Sequence, residues 1–393
     1  MARIVERSSG PQSISHGGET VTPPALESAP RLEALPADAE FALCLTHDVD
    51  RPYKGLRGLF FATRERPGYH LRTVLSGENP YWQFENVMAL EDDLGVRSSW
   101  YVLNEQHLLL DRPPRDWTAP ANWIQHLGRY DVTSDEIAGV LRALEEGGWE
   151  VGLHGSFHTA DDPARIREET ATLESVLDGP VTGGRQHHLR LSPPETWHYY
   201  RLAGLAYDAS LGSTTECGFH HGYHPIRPFD DEFVVFPLTI MDQALPDPAR
   251  RPNAARRTCN RLLEEAAAND AVMSVLWHPR YFSEREFPGH RDLYRWVIER
   301  GQELGAWIGS PRNYLEAVDA DCVPGDESAR APASDPTGGA SLATDREPSA
   351  TAGSDPTTGG GQPASTDGGL ERASDERAGS DVANGVSDRR GAR

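Results

Sequence analysis

FALCLTHDVD, residues 41–50, begins as an apolar run and ends in three candidate ligands, His47, Asp48 and Asp50. The apolar part reads as a buried strand. Side chains alternate along a strand, so Asp48 and Asp50 face one side while His47 and Val49 face the other. The two carboxylates then sit about 7 Å apart, too close for both to stay charged without a cation or a proton between them. A metal held by one would leave the other free as a base. His47, pointing oppositely, is a packed or hydrogen-bonded residue rather than a ligand.

From about residue 38 to 320, strand-like and helix-like segments alternate around this stretch. Further strands are expected at 98–104, 149–155, 182–191, 207–213, 232–240, 271–277 and 306–310. Helices are expected at 83–95, 133–148, roughly 162–178, from 192 onward and at 291–305. Thr133 and Glu136 have the spacing of a capping box, and Gly147 and Gly148 stop that helix. Repeated β–α units imply a parallel sheet covered by helices, and seven or eight of them in about 280 residues suit an α/β barrel of the TIM type. Such a barrel places its chemistry where the strands end.

The two ends read differently. Residues 1–37 are rich in Pro, Ser, Glu and Gly, and residues 321–393 form an acidic Gly/Ser/Asp-rich tail in which SDPT occurs at 334–337 and 354–357. Neither stretch can bury enough apolar surface to offset chain entropy, so both are expected to be disordered. The chain carries 60 acidic and 38 basic residues, net −22, and its one lysine is Lys54. That balance argues against a nucleic acid or an anionic membrane as partner. It suits a salt-loaded, halophilic cytoplasm, where a carboxylate-rich surface keeps a protein in solution, although a GC-rich genome would also favour arginine over lysine. Four separated cysteines offer neither a disulfide framework nor a Cys zinc site. Residues 1–37 contain no signal-like apolar run and no membrane span is legible, so a cytoplasmic location is expected.

Six polar residues fall at the same end of successive expected strands: Asp48, Asp50, His154, Arg185, Asp208 and His278. In HGSFH (154–158), His154 and His158 would meet on one face if the chain turned helically after its strand. With a carboxylate from a neighbouring strand they would make a His₂Asp site with a position left open for water.

The ordered set Asp-x-Asp, HGSFH, an Arg-bearing strand, YDAS (207–210) and LWH (276–278) resembles the polysaccharide deacetylase family, the NodB-homology or carbohydrate esterase family 4 proteins, over about residues 41–316. The resemblance implies a distorted (β/α)7 barrel, one divalent metal ion, usually zinc, and removal of acetyl groups from an N-acetylated carbohydrate. It makes Asp48 the general base and Asp50, His154 and His158 the metal ligands. Arg185 would orient Asp48, His278 would be the general acid, and Asp208 resembles the residue that tunes it. Trp277, within the same motif as His278, is expected at the substrate. Two departures stand out. Many members carry adjacent aspartates, whereas this chain, like a subset of the family, has Asp-x-Asp. The Arg motif usually continues with Pro and Gly but here reads RQHHL (185–189), so His187 is expected to line the substrate site.

Insertions at 51–82 and 105–130 would form the rim, offering Tyr53, Tyr81, Trp82, Trp117 and Trp123 either to sugar rings or to loop packing. Such a rim suits a bounded substrate better than a long polymer groove. FHHGYH (219–224) is expected as a His-rich surface loop, with substrate contact as the other reading. Two other functions fit the same pattern: a related barrel hydrolase of another C–N bond, such as a cyclic ureide, or an inactive carbohydrate-binding barrel. The retained Asp48 and His278 speak against the latter, because a pure binder needs neither base nor acid.

Overall fold

A computed structural model of the chain describes residues 26, 28–55, 57–63, 66–229 and 231–322. These belong to one unit, Met1–Asp326, and a second unit, Glu327–Arg393, lies outside them. The sheet is parallel throughout and curls around a central axis. Its strands are β1 (Phe41–Val49), β2 (Ser99–Leu103), β3 (Glu150–Gly155), β4 (Gly183–Gln186), β5 (Tyr207–Asp208), β6 (Val234–Val235), β7 (Leu238–Met241), β8 (Val272–Leu276) and β9 (Ala306–Gly309). They pair in the order β6-β5-β4-β3-β2-β1-β8-β7. β6 and β7 are successive pieces of one segment, the first pairing with β5 and the second with β8. The ring therefore has seven strand positions, a distorted (β/α)7 TIM-like barrel. The distortion lies at β9, which pairs with Phe41–Cys44 of β1 on the edge that β2 takes over from Thr46 onward.

All nine residues of β1 are buried, and their alternation divides the molecule. Phe41, Leu43, Leu45 and Val49 pack outward into the layer between sheet and helices, with Trp100, Val275 and Val297 among their cluster. Ala42 and Cys44 point inward, joining Tyr101, Tyr207, Phe236, Val272 and Tyr314 in a plug that fills the lower barrel. The inward row then continues upward as Thr46, Asp48 and Asp50. Gly183 makes room for the plug: a Cβ there would lie 2.1 Å from the Tyr207 ring. Tyr314 comes from the helix Pro311–Cys322 and donates from its hydroxyl to Ala34 O.

The lower end of the barrel changes the expected boundaries. Leu32 N donates to Pro225 O at 2.9 Å, Arg31 bridges to Ile226, and Leu32, Ala34 and Leu35 pack against the plug. Residues 31–35 thus belong to the folded unit rather than to a disordered leader, because their apolar side chains seal the open bottom. The expectation for 1–25 and 323–393 falls outside the described residues. The sequence also understated helices. Pro67–Ser76 and Pro120–Gly128 lie within the two insertions, and Pro252–Ala267 is largely polar yet buries Ala255, Cys259, Leu262, Leu263 and Ala266 on one stripe. The capping box is not formed: Thr133 Oγ1 donates to Asp131 and Ser134 precedes the helix Asp135–Glu146, leaving Glu136 to accept from Tyr53. Among the described residues no helix is long and apolar enough to cross a membrane.

His47 occupies the outer row, as alternation requires. Its Nδ1 donates to Trp277 O at 2.5 Å and its Nε2 faces Glu91 Oε1 at 2.9 Å. Glu91 is fully buried on the helix Phe84–Leu94 and also accepts from Ser98 (2.8 Å), Trp149 (2.6 Å) and Tyr294 (2.6 Å). Removing the hub takes the acceptor from three buried donors, Ser98, Trp149 and Tyr294, and the partner from His47 Nε2. Glu91→Ala is therefore expected to lower unfolding free energy by roughly 3–5 kcal/mol in urea titration while leaving metal content unchanged.

Candidate metal centre

The inward row of β1 rises into a cavity of about 620 Å³ that Asp48, Asp50, His154, His187 and His278 all line. Arg185, on β4, is fully buried beneath it. Its Nε donates to Ala209 O at 2.8 Å, and its Nη1 donates to Thr46 Oγ1 and to Asp48 Oδ1, each at 2.8 Å. Its guanidinium also lies 4.8 Å from the centre of the Tyr101 ring. Burial opposes the charge on Arg185, but Asp48 and Tyr101 outweigh that and raise its pKa. Asp48 Oδ1 is thus bonded to Arg185, while Oδ2 lies 3.8 Å from His154 Nε2.

Asp50 divides its two oxygens between different partners. Oδ1 lies 3.1 Å from His154 Nε2 and 3.7 Å from His187 Nε2. Oδ2 accepts from Arg280 Nη1 at 2.9 Å and lies 3.4 Å from His278 Nε2. His154 Nδ1 donates to Arg185 O at 2.9 Å, which aims Nε2 at Asp50. Burial opposes charge on His154, but Asp48 and Asp50 outweigh it and raise its pKa, so a proton or a cation belongs between Nε2 and Asp50. One ligand atom each from Asp50, His154 and His187 can be chosen so that all lie within 4.8 Å of one another. Three buried acceptors aimed at one point require a proton or a cation among them, and a divalent ion satisfies all three at once. The donor set therefore fits a metal. Burial opposes ionisation of Asp50, yet His278 and the hydrogen bond from His154 hold its pKa well below the usual carboxylate range. Burial keeps His187 neutral, the form that ligates, pushing its pKa well below the usual imidazole value.

His158 does not join this group. The strand runs on through Gly155 and turns at residues 157–158 instead of winding into a helix, so His154 and His158 never acquire helical spacing. His158 Nε2 bonds to Asn122 Oδ1 at 2.9 Å, and burial with Arg112 and Arg190 lowers its pKa to about 4. His187, expected at the substrate, takes the third position instead. It can do so because β4 stops at Gln186: His188 (φ 59°) and Leu189 (φ 52°) adopt left-handed backbone, strained for non-glycine residues.

A second correction concerns the partner of His278. Asp208 accepts from Trp197 Nε1 (3.1 Å) and from Ser210 N (3.0 Å) and Oγ (2.5 Å), and burial raises its pKa to about 6. The carboxylate on His278 is that of Asp242, which follows β7. Its Oδ2 accepts from His278 N (2.6 Å) and Nδ1 (2.9 Å). Burial opposes charge on His278, but Asp242 and Asp50 outweigh it and carry the pKa to about 9. Asp242 was legible as an acid just past the strand 232–240, and Arg280 as a cation just past His278; neither fell inside a motif. Trp277 is fully buried among Tyr294 and His290 and does not line the cavity. The His-rich loop lies elsewhere: His220 and His221 border a separate hollow with Leu26 and Arg31. Of the rim aromatics, Tyr81 lines the cavity, while Trp117 and Trp123 donate to backbone carbonyls within their own insertion.

No protein-family model and no curated protein matches the chain. Solved structures similar to it include a Mycobacterium smegmatis protein assigned as a polysaccharide deacetylase. That one shares 18% identity over 75% of this chain and 96% of its own, with a TM-score of 0.48. An allantoinase aligns at 13% identity over 78% of this chain and 98% of its own, with a TM-score of 0.49. A CE4 family pseudoenzyme from Bacillus anthracis aligns at 12% identity over 70% of this chain and 65% of its own, with a TM-score of 0.36.

The geometry separates the two histidine assignments. His187→Ala, like Asp50→Ala and His154→Ala, is expected to lose bound divalent metal in elemental analysis after dialysis. His158→Ala should retain a full equivalent, and metal loss there with retention in His187→Ala would reverse the ligand set.

Proposed function

We propose that the protein is a metal-dependent hydrolase of carbon–nitrogen bonds that deacetylates an N-acetylated sugar. The observation that carries this reading is the meeting of three units around one cavity: the Asp48–Arg185 pair, the Asp50–His154–His187 group and the Asp242–His278 pair. A pure binding site has no use for a buried base and a buried acid on either side of a metal group. Asp50, His154 and His187 would hold one divalent ion, zinc suiting a His₂-carboxylate set. When bound, that ion supplies Lewis-acid polarisation of the amide carbonyl and of a water molecule.

Everything else falls to the chain's own side chains. Asp48 takes a proton from the attacking water, with Arg185 fixing its Oδ1 and leaving Oδ2 on the metal side. His278 gives a proton from Nε2 to the departing nitrogen. Asp242, bonded to Nδ1, fixes that ring and its tautomer and stabilises its charged form. Arg280 holds Oδ2 of Asp50, so that Oδ1 is the oxygen presented to the ion.

Acetate release from N-acetylated sugars in high salt, with formation of the ring-opened ureido acid from cyclic ureides followed in parallel, tests the bond that is cleaved. Asp48→Asn is expected to keep its metal and to lose about 10²-fold or more in kcat. Asp242→Asn should lose about tenfold or more with metal retained, whereas Asp208→Asn should leave kcat within about threefold. Full activity in Asp48→Asn would sink the assignment of the base.

A further inference from the structure

Behind the aromatic wall of the cavity lies a charged cluster that the hydrolytic chemistry leaves unused. Lys54, the one lysine in the chain, is 2 % exposed. Its Nζ donates to His70 Nδ1 at 2.8 Å and to Glu286, and lies 4.8 Å from the centre of the Tyr69 ring. The Glu286 side chain is itself only 5 % exposed. Two links run beside this pair: Arg66 Nη1 donates to Arg285 O at 2.7 Å, and Arg285 Nη1 donates to Glu78. Lys54, Arg66, Tyr69, His70 and Glu78 all follow β1, whereas Arg285 and Glu286 follow β8, and β1 and β8 are neighbours in the barrel. The links therefore join two loops at the top of adjacent strands into one arch.

The inner side of the arch is aromatic. Tyr81 from the first loop lies 6.3 Å from Phe287 of the second, Phe287 lies 4.4 Å from Tyr281, and all three line the cavity. The Tyr281 ring is in turn 6.0 Å from that of His278, the proton donor to the leaving nitrogen. An exposed ion pair would let the two loops part freely, because water replaces each partner cheaply. A dehydrated ammonium with a carboxylate, an imidazole and an aromatic face around it has no such replacement, so the pair fixes the arch in one conformation. The cavity below, about 620 Å³, falls within the roughly 300–1,000 Å³ that encloses a single small ligand.

We propose that the arch pinned by Lys54 and Glu286 closes the site along its β1–β8 side, so that it accepts one acylamido sugar unit, free or at a chain end, and not a unit inside a polymer. The inference rests on the amidohydrolase reading above and specifies its substrate class.

The test uses the full-length, metal-loaded protein with N-acetylglucosamine, its β-1,4 disaccharide and its hexamer, counting acetates lost per chain by mass spectrometry. The expected result is release from the short substrates and no more than one acetate lost from any hexamer. Loss of two or more acetates per hexamer overturns the inference and leaves the amidohydrolase reading standing. Release from none of the three lengths counts against that reading itself, and the inference falls with it. The double variant Lys54→Met/Glu286→Leu removes both charges together. It should keep its metal and its rate on the shortest substrate while losing several acetates per hexamer; retention of the single-acetate limit would overturn the role of the pin. Should that variant fail to fold, the count with the unaltered protein decides.

Discussion

A guanidinium sealed inside the barrel sets the terms for the site. Arg185 sits above an apolar plug and below the cavity, with no exposure to solvent. A buried cation of that kind is tolerable only where fixed acceptors surround it. Asp48, Thr46 and the Ala209 carbonyl supply them from two other strands. The arrangement ties β1, β4 and the end of β5 to one point. It also spends one carboxylate of the Asp-x-Asp pair on the cation below, so the second, Asp50, faces a different environment above. Two identical side chains thus acquire, by position alone, the different surroundings that the proposed base and the proposed ligand need.

The upper tier follows the same logic. Asp50 has two oxygens and four cationic or ligating neighbours, and it sorts them by side: His154 and His187 on Oδ1, Arg280 and His278 on Oδ2. His154 is oriented by the Arg185 carbonyl, so the residue that holds the base also aims a ligand. The proposed base and the candidate metal group are therefore coupled through a single residue of β4. The acid is anchored independently, on β7 and the turn after β8, through Asp242. That separation puts the proposed proton donor and the candidate metal group on different strands.

Much of this was legible in the sequence because β1 obeys strict alternation. Period two separated His47 from Asp48 and Asp50, and the structure puts His47 in the outer layer against Glu91, as that reading requires. The barrel was legible from repeated apolar strands, and the strand-end rule found five of the residues that meet at the site: Asp48, Asp50, His154, Arg185 and His278. What escaped were features decided by local backbone rather than by pattern. Whether His158 or His187 completes the group depends on where β3 and β4 stop, and the left-handed His188 and Leu189 leave no periodic trace. Asp242 escaped for another reason: it is close to His278 through pairing of β7 with β8, and no spacing along the chain encodes that. The helix Pro252–Ala267 shows the opposite failure, since its stripe of Ala, Cys and Leu has regular spacing but too little bulk to stand out among Arg and Glu.

The segment shared by β6 and β7 has a consequence for how the barrel comes apart. Every other strand position is filled by a separate stretch of chain with its own flanking loops. Here one short segment completes the ladder at both terminal positions, donating from Val234 and Phe236 toward β5 and pairing through Leu238–Met241 with β8. Peeling it away would expose two unpaired edges at once and uncover the plug residues Val234 and Phe236 in the same event. The barrel therefore lacks a half that can open alone at this seam, and amide protons of β5 and β8, distant in sequence, share one opening step.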